Sequence, residues 1–438
     1  VYKRQVYTDE AMNRSGGDWG IIGVSLRSAA VSRQLNPQDG LYSVRSRGAE
    51  TDQLRVIGAV QSVLVAPESP AQVAAVIARP DIAIVTLTIT EKGYLLAADG
   101  ASLNRNDPAL QADVLNSQQP TTAIGLLALG LRERMVAGGA ALTIMSCDNL
   151  GHNSKRLRAV LMDYLQMVFP EVLPWLEDRV RFPCSMIDRI VPAMTDAART
   201  AQSRQLGLRD DGAVATEVFN QWIMEDDFAG ARPNWVAAGA QLVNDIAPYE
   251  AIKLRLLNAS HSAIAYCGLL AGLETVDEVM ADKQLRSYVE RLMQRDLMPV
   301  LEVPADFDIE QYQRQLLERF ANPSLGHRCA QIAMDGSEKI SQRWLPTLQV
   351  ASGDAILTAL SAWCGFVLDT DLPLEDPCCE VLTDARNSDA ALAERLAAVL
   401  ACARISPSSI ADFGDLLTRL ERNYPLLQNG GIRDLLCT

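Results

Sequence analysis

Histidine is scarce in this 438-residue chain, with only His152, His261 and His327, and its nine cysteines are scattered. The one adjacent pair, Cys378-Cys379, has no second pair at zinc-site spacing, and no His pair stands at i, i+4. A catalytic metal is therefore not expected, and the thiols read as reduced groups in a cytosol. Long apolar runs are missing as well. Nothing approaches the roughly 18 residues of a membrane span, and the opening VYKRQVYTDEAMNRS lacks the apolar centre of a signal peptide. The expected location is the cytoplasm. No G-x-S-x-G occurs, so a serine nucleophile on a strand-to-helix elbow has no support. Basic charge is in deficit, 40 Lys and Arg against 54 Asp and Glu, for a formal net charge of −14. Such a field repels phosphate backbones and anionic membrane surfaces, which removes nucleic acid and membranes from the expected partners. No self-association motif is visible, and the chain reads as a monomer.

What is present is an ordinary globular composition, 48% hydrophobic and 21% charged, in a chain long enough for two domains. The first half alternates short apolar, β-branched runs (WGIIGVSL at 19–26, AIVTLTIT at 83–90, LTIMSC at 142–147) with helical spacing at 70–78 and 122–139. This βαβ alternation predicts an α/β, doubly wound parallel sheet over residues 1–240. After Pro248 the segments IKLRLLNASHSAIAYCGLLAGLETVDEVMAD, LRSYVERLMQRDLM, IEQYQRQLLERFAN and AALAERLAAVLACA are helical in period and poor in strand signal. Residues 241–438 are expected to be all-helical. The boundary is sought near 235–250, where ARPNW and IAPYE break the periodicity.

KLRLLNASH is the most informative stretch, placing Lys253, Asn258 and His261 at the head of a long apolar helix. At about 100° per residue, His261 lies about 80° and Asn258 about 140° around the axis from Lys253, so all three can face one cleft. Alcohol oxidation needs a base for the hydroxyl proton and donors for the oxygen as charge develops on it. A lysine among apolar neighbours, an amide and an imidazole supply these parts without a metal. From spacing alone, three ordinary helix positions, two exposed and one in the core, would read the same.

The segment matches the K-x4-N-x2-H signature of the polyol-specific long-chain dehydrogenases, and the chain resembles that family, which includes mannitol 2-dehydrogenase and fructuronate reductase. TLTITEKGY (86–94), TIMSCDNLGHN (143–153), FPCSMIDRIVPAMT (182–195), QWIMEDDF (221–228), GARPNW (230–235), ERFANPSLGHR and IAMDGSEK (318–339) resemble family blocks in the same order. The resemblance implies that Lys253 is the general base in oxidation and the acid in reduction. It implies that Asn258 and Asn149 donate to the substrate oxygen, that His261 holds the substrate, that Asp188 accepts from a substrate hydroxyl, and that Glu91 joins the proton relay. Taken without the family, Asp188 beside Arg189 could be a structural ion pair, and Asn149 a turn former. A dinucleotide sheet, however, binds ligands at the carboxyl ends of its strands, where Asn149 falls.

The resemblance departs at the start. The family's opening strand and G-x-G-x-F-x-R-x-H turn would stand upstream of QVYTDEAM, whereas the chain begins VYKRQ, and Gly20 and Gly23 fall inside the second expected strand. The Rossmann-type sheet is therefore expected to miss its first strand, and an inactive remnant unable to bind nucleotide is a competing reading. The resemblance points to NAD. After VSL come Arg27 and Ser28, with no acid until Asp39, which leaves NADP open. The FPCSMIDRIVPA and KLRLLNASHS blocks look most like fructuronate reductase, which interconverts D-mannonate and D-fructuronate. Mannitol or another polyol is the alternative substrate. A hexuronate carboxylate needs a cation, for which Lys339 and Arg343 are candidates. An exposed cationic pair on a helix is the plain alternative.

Overall fold

The computed structural model describes residues 2–48, 51–97, 100–323, 326–351 and 353–436. The chain divides into two compact units, Val1–Ala247 and Pro248–Thr438. The first unit opens with α1 (Tyr2–Ser15), β1 (Ile21–Ser25), β2 (Tyr42–Arg47), β3 (Asp52–Ile57), β4 (Val60–Val65) and α2 (Pro70–Ala78). There follow β5 (Ile84–Leu87), α3 (Ala123–Val136), β6 (Leu142–Ser146), α4 (Asn153–Val168), β7 (Val180–Arg181) and β8 (Ser185–Asp188). It closes with β9 (Val214–Glu217), β10 (Gln221–Glu225) and β11 (Gln241–Val243).

Parallel ladders run β5–β6–β7 and β1–β4. Helices α3 and α4 make the crossovers from β5 to β6 and from β6 to β7, the repeating unit of a doubly wound Rossmann-type sheet. Two mixed ladders of three strands each, β3–β2–β9 and β11–β10–β8, accompany it. β6 is buried along its whole length, as a central parallel strand must be, whereas β1 is intermediate or exposed throughout. Among the described residues no ladder joins β1 to β5. β1 pairs with β4 alone among the described residues, and its unpaired edge goes with its exposure.

Local chemistry explains the helices. Pro70 sits in the first turn of α2, where its missing N–H removes no helical bond. The Thr122 hydroxyl caps α3 by accepting from the Gly125 amide at 3.0 Å. α2 and α3 approach so closely that a Cβ on Gly130 would lie 2.7 Å from Cβ of Ile77. At the far end of α3, buried Arg134 donates to the carbonyls of Ile77, Arg79, Ile82, Ala140 and Ala141 at 2.7–3.0 Å. One guanidinium thus ties the end of α2 to the entries of β5 and β6. The apolar core beneath them includes Val73, Ile77, Leu127, Leu131, Ile144, Leu161 and Tyr164.

Among the described residues the second unit contains helices and no strand, only an isolated bridge between Thr275 and Arg328. Its elements near the site are a π-helical segment (Lys253–Asn258), α5 (Ala259–Leu270), α6 (Ile309–Phe320), α7 (Gly336–Arg343) and α8 (Asp354–Asp369). α5 and α8 are buried almost all round, as the central helices of a bundle are. Among the described residues no helix is long and apolar enough to cross a membrane.

Candidate active site

In the first unit the site residues stand at or just beyond strand ends. Two residues past β6, the Asp148 carboxylate accepts from the amides of Ile89 (3.0 and 3.1 Å) and Thr90 (3.0 Å) and from the Tyr94 hydroxyl (2.6 Å). Burial, then the charge of Asp148, pushes the Tyr94 phenol far above its ordinary range, so it stays a donor. Asp148 therefore fastens the loop after β5 to the end of β6. That loop carries Glu91, whose side chain lies outside the described residues, and exposed Asn149 follows Asp148 directly. Strain marks the same corner at Thr90, with φ 64° and ψ 165°, a backbone region β-branched residues rarely adopt.

Asn153, at the start of α4, donates to the carbonyls of Asp148 (3.0 Å) and Ser185 (2.7 Å), and the Ser185 hydroxyl donates to the Ser146 carbonyl (2.7 Å). These bonds lace β8 to β6. Asp188, 5% exposed, ends β8 opposite Gln221 of β10. Its neighbour Arg189 directs its guanidinium to the Glu217 carbonyl (3.1 and 3.3 Å) and the Ser46 hydroxyl (3.0 Å). Arg27 and Ser28 are exposed just past the carboxyl end of β1.

In the second unit five of the expected residues gather in one place. Lys253 and Asn258 are 9% and 8% exposed, so two of the three positions that spacing alone left open are buried. They begin and end a π-helical segment in which the Ala259 amide bonds to the Leu254 carbonyl, five residues back. Since such a bond closes about one turn over five residues, Lys253 and Asn258 stand much closer in line than α-helical spacing gives. His261 follows in α5, stacked on Phe320 of α6 (centroids 5.3 Å apart, 17° between planes) and edge-on to His327 (4.7 Å, 67°). Burial, and then the charges of His327, Arg343, Arg319 and Lys339, holds the His261 imidazole well below its usual range, so it is neutral at pH 7.

Lys339 and Arg343 of α7 are not an exposed pair. The Lys339 ammonium donates to the carbonyls of Ile332 (3.2 Å) and Met334 (2.5 Å), and the Arg343 guanidinium to the Asn258 carbonyl (3.1 Å) and the Ser262 hydroxyl (2.7 Å). Burial lowers the Lys339 ammonium and brings Arg343 down to about 10. The sequence reading missed Asp148, His327 and Phe320 as site residues. The first stands beside Asn149 within SCDN, the others inside ERFANPSLGHR, so the motif blocks held them without singling them out.

Residues 5–237 match the mannitol dehydrogenase Rossmann domain and 245–427 the mannitol dehydrogenase C-terminal domain. The chain belongs to the mannitol dehydrogenase family. It is an oxidoreductase acting on CH–OH groups, and its first unit is that family's Rossmann domain. The remnant reading finds no support, because both domain models match in order over nearly the whole chain. D-mannonate oxidoreductase of Escherichia coli is 35% identical over 98% of this chain and 91% of its own length. Mannitol 2-dehydrogenase of Phaeosphaeria nodorum is 36% identical over 86% of this chain and 69% of its own. The solved Pseudomonas fluorescens mannitol 2-dehydrogenase, a ternary complex with NAD and D-mannitol, superposes with a TM-score of 0.85 at 32% identity, covering 99% of this chain and 91% of that one.

Proposed function

We propose that the protein interconverts D-mannonate and D-fructuronate, with NAD as the hydride partner. The observation that supports this reading is the clustering of Lys253, Asn258 and His261 with two cations, Lys339 and Arg343, around one π turn. A hexuronate brings a carboxylate that needs such charge, and Lys339 retains one of its three donors and Arg343 most of its five for it. In this reading the Lys253 amine takes the hydroxyl proton during oxidation and returns it during reduction. Asn258 and Asn149 donate to the substrate oxygen as charge grows on it, neutral His261 donates to the substrate beside them, and Asp188 accepts from a further hydroxyl. Glu91 passes the proton onward.

The residues present fit the nicotinamide nucleotide in part. Arg27 and Ser28 past β1 would hold the ribose end, and the corner built by Asp148 would face the nicotinamide. The described residues hold no glycine-rich strand-to-helix turn for the pyrophosphate. When bound, the nucleotide accepts or supplies the hydride. Arg27 suits a 2′-phosphate as well, so NADP is the second nucleotide to try.

The experiment is oxidation of NADH and NADPH by the protein with fructuronate and with fructose. Turnover of fructuronate is expected, and activity on fructose alone overturns the hexuronate assignment. Resemblance to mannitol 2-dehydrogenases favours that second reading, a neutral polyol as substrate.

A further inference from the structure

We infer that Arg343 is a positioning residue for Asn258, and that α7 is the strut through which it acts. The inference rests on the assignment of Asn258 above and goes beyond it, since Arg343 is given a task apart from any substrate charge. The junction between the π segment and α5 is gripped at two successive carbonyls. Nη1 of Arg343 donates to the Asn258 carbonyl (3.1 Å) and the Ser262 hydroxyl (2.7 Å), and Nε1 of Trp344, the next residue, donates to the Ala259 carbonyl (3.1 Å).

The opposite end of α7 is equally fixed. The Asp376 carboxylate accepts from the Ser337 amide (2.8 Å) and hydroxyl (2.5 Å), while the Asp335 amide donates to the Glu375 carbonyl (2.8 Å). Between these anchors Lys339 is pinned to Ile332 and Met334. Trp344 is fully buried, so the strut has little freedom to swing.

This placement answers a mechanical problem. A π turn is rare beside regular helix, and α-helical register at this point would rotate Asn258 away from Lys253. Fixing the backbone at Asn258 and Ala259 from outside keeps the amide where the reacting oxygen is held. A displacement of about 1 Å in such a group costs roughly 100-fold in rate. A lysine replaces this guanidinium only in part, because it offers one point charge on a flexible stem.

The test measures kcat and KM for the sugar substrate that is turned over, and KM for the nucleotide, in Arg343→Met, Asn258→Ala and the double variant, with Arg343→Lys and Ser262→Ala as milder changes. The expected result is a kcat about 100-fold lower in Arg343→Met, with nucleotide KM unchanged and the double variant no slower than Asn258→Ala. Smaller kcat losses are expected in the milder pair, which also serves if Arg343→Met does not fold. A raised KM for the sugar acid with unchanged kcat means that Arg343 serves only as a carboxylate ligand and overturns the inference. So do losses in the two single variants that multiply in the double. Wild-type turnover in Asn258→Ala instead overturns the assignment of Asn258 itself.

Discussion

Lys253 is 9% exposed and stands at the head of a π turn, where the proposed reading makes it the general base. Replacing it with alanine should lower turnover by about 10²–10⁴, the range for a lost general acid–base group, while nucleotide binding, followed by fluorescence titration, changes little. Unchanged turnover would show that the proton leaves by another route. His261 makes a stability prediction. Its imidazole titrates near 6.5 in the unfolded chain and well below that when folded, so acidification through this window protonates the unfolded chain first. The stability it contributes is complete above about pH 6.5 and is lost as pH falls towards its folded value. Urea unfolding at pH 7 and pH 5 should therefore show a larger loss in the wild type than in His261→Phe. At this scale the sequence displayed the groups that sit inside a compact motif, Lys253, Asn258 and His261. It did not single out Asp148, whose partners Ile89, Thr90 and Tyr94 lie 54 to 59 positions away, a proximity that no local pattern records.

Elements with a strong period were legible and those with a mixed one were not. β1, β5 and β6 are short, mostly apolar runs containing β-branched residues, and they formed within the segments 19–26, 83–90 and 142–147. β2 and β3, YSVRSR and DQLRVI, alternate polar and apolar residues on a flanking ladder and carry no comparable apolar run. The π segment was hidden for another reason: its residues have ordinary helical spacing, and only the hydrogen-bond register distinguishes it. Arg134 shows how elements are joined by what a pattern treats as a surface residue of a helix. Arg134→Met keeps much of the stem but leaves five carbonyls, one of them fully buried, without their donor, and should destabilise the first unit by about 2–4 kcal/mol. Thermal unfolding followed by circular dichroism checks this. A loss below about 1 kcal/mol would mean that water replaces the guanidinium without cost.

Across the whole molecule, two charge patterns oppose each other. The chain carries −14 overall, yet Lys339, Arg343 and Arg319 stand together around His261. The net field reaches an approaching anion over a distance set by salt, about 30 Å at 0.01 M and about 8 Å at 0.15 M. Arg319 is buried and Lys339 and Arg343 are half-buried, and they act at hydrogen-bond range, where screening is weak. On the proposed assignment an anionic sugar acid crosses a repulsive shell to reach these cations, and salt weakens the shell more than the short-range attraction. At saturating nucleotide, kcat/KM for fructuronate should rise as ionic strength goes from 0.01 to 0.15 M, whereas kcat/KM for any neutral polyol turned over should stay level. A fall for the sugar acid would show that surface cations, rather than the half-buried pair on α7, guide it in.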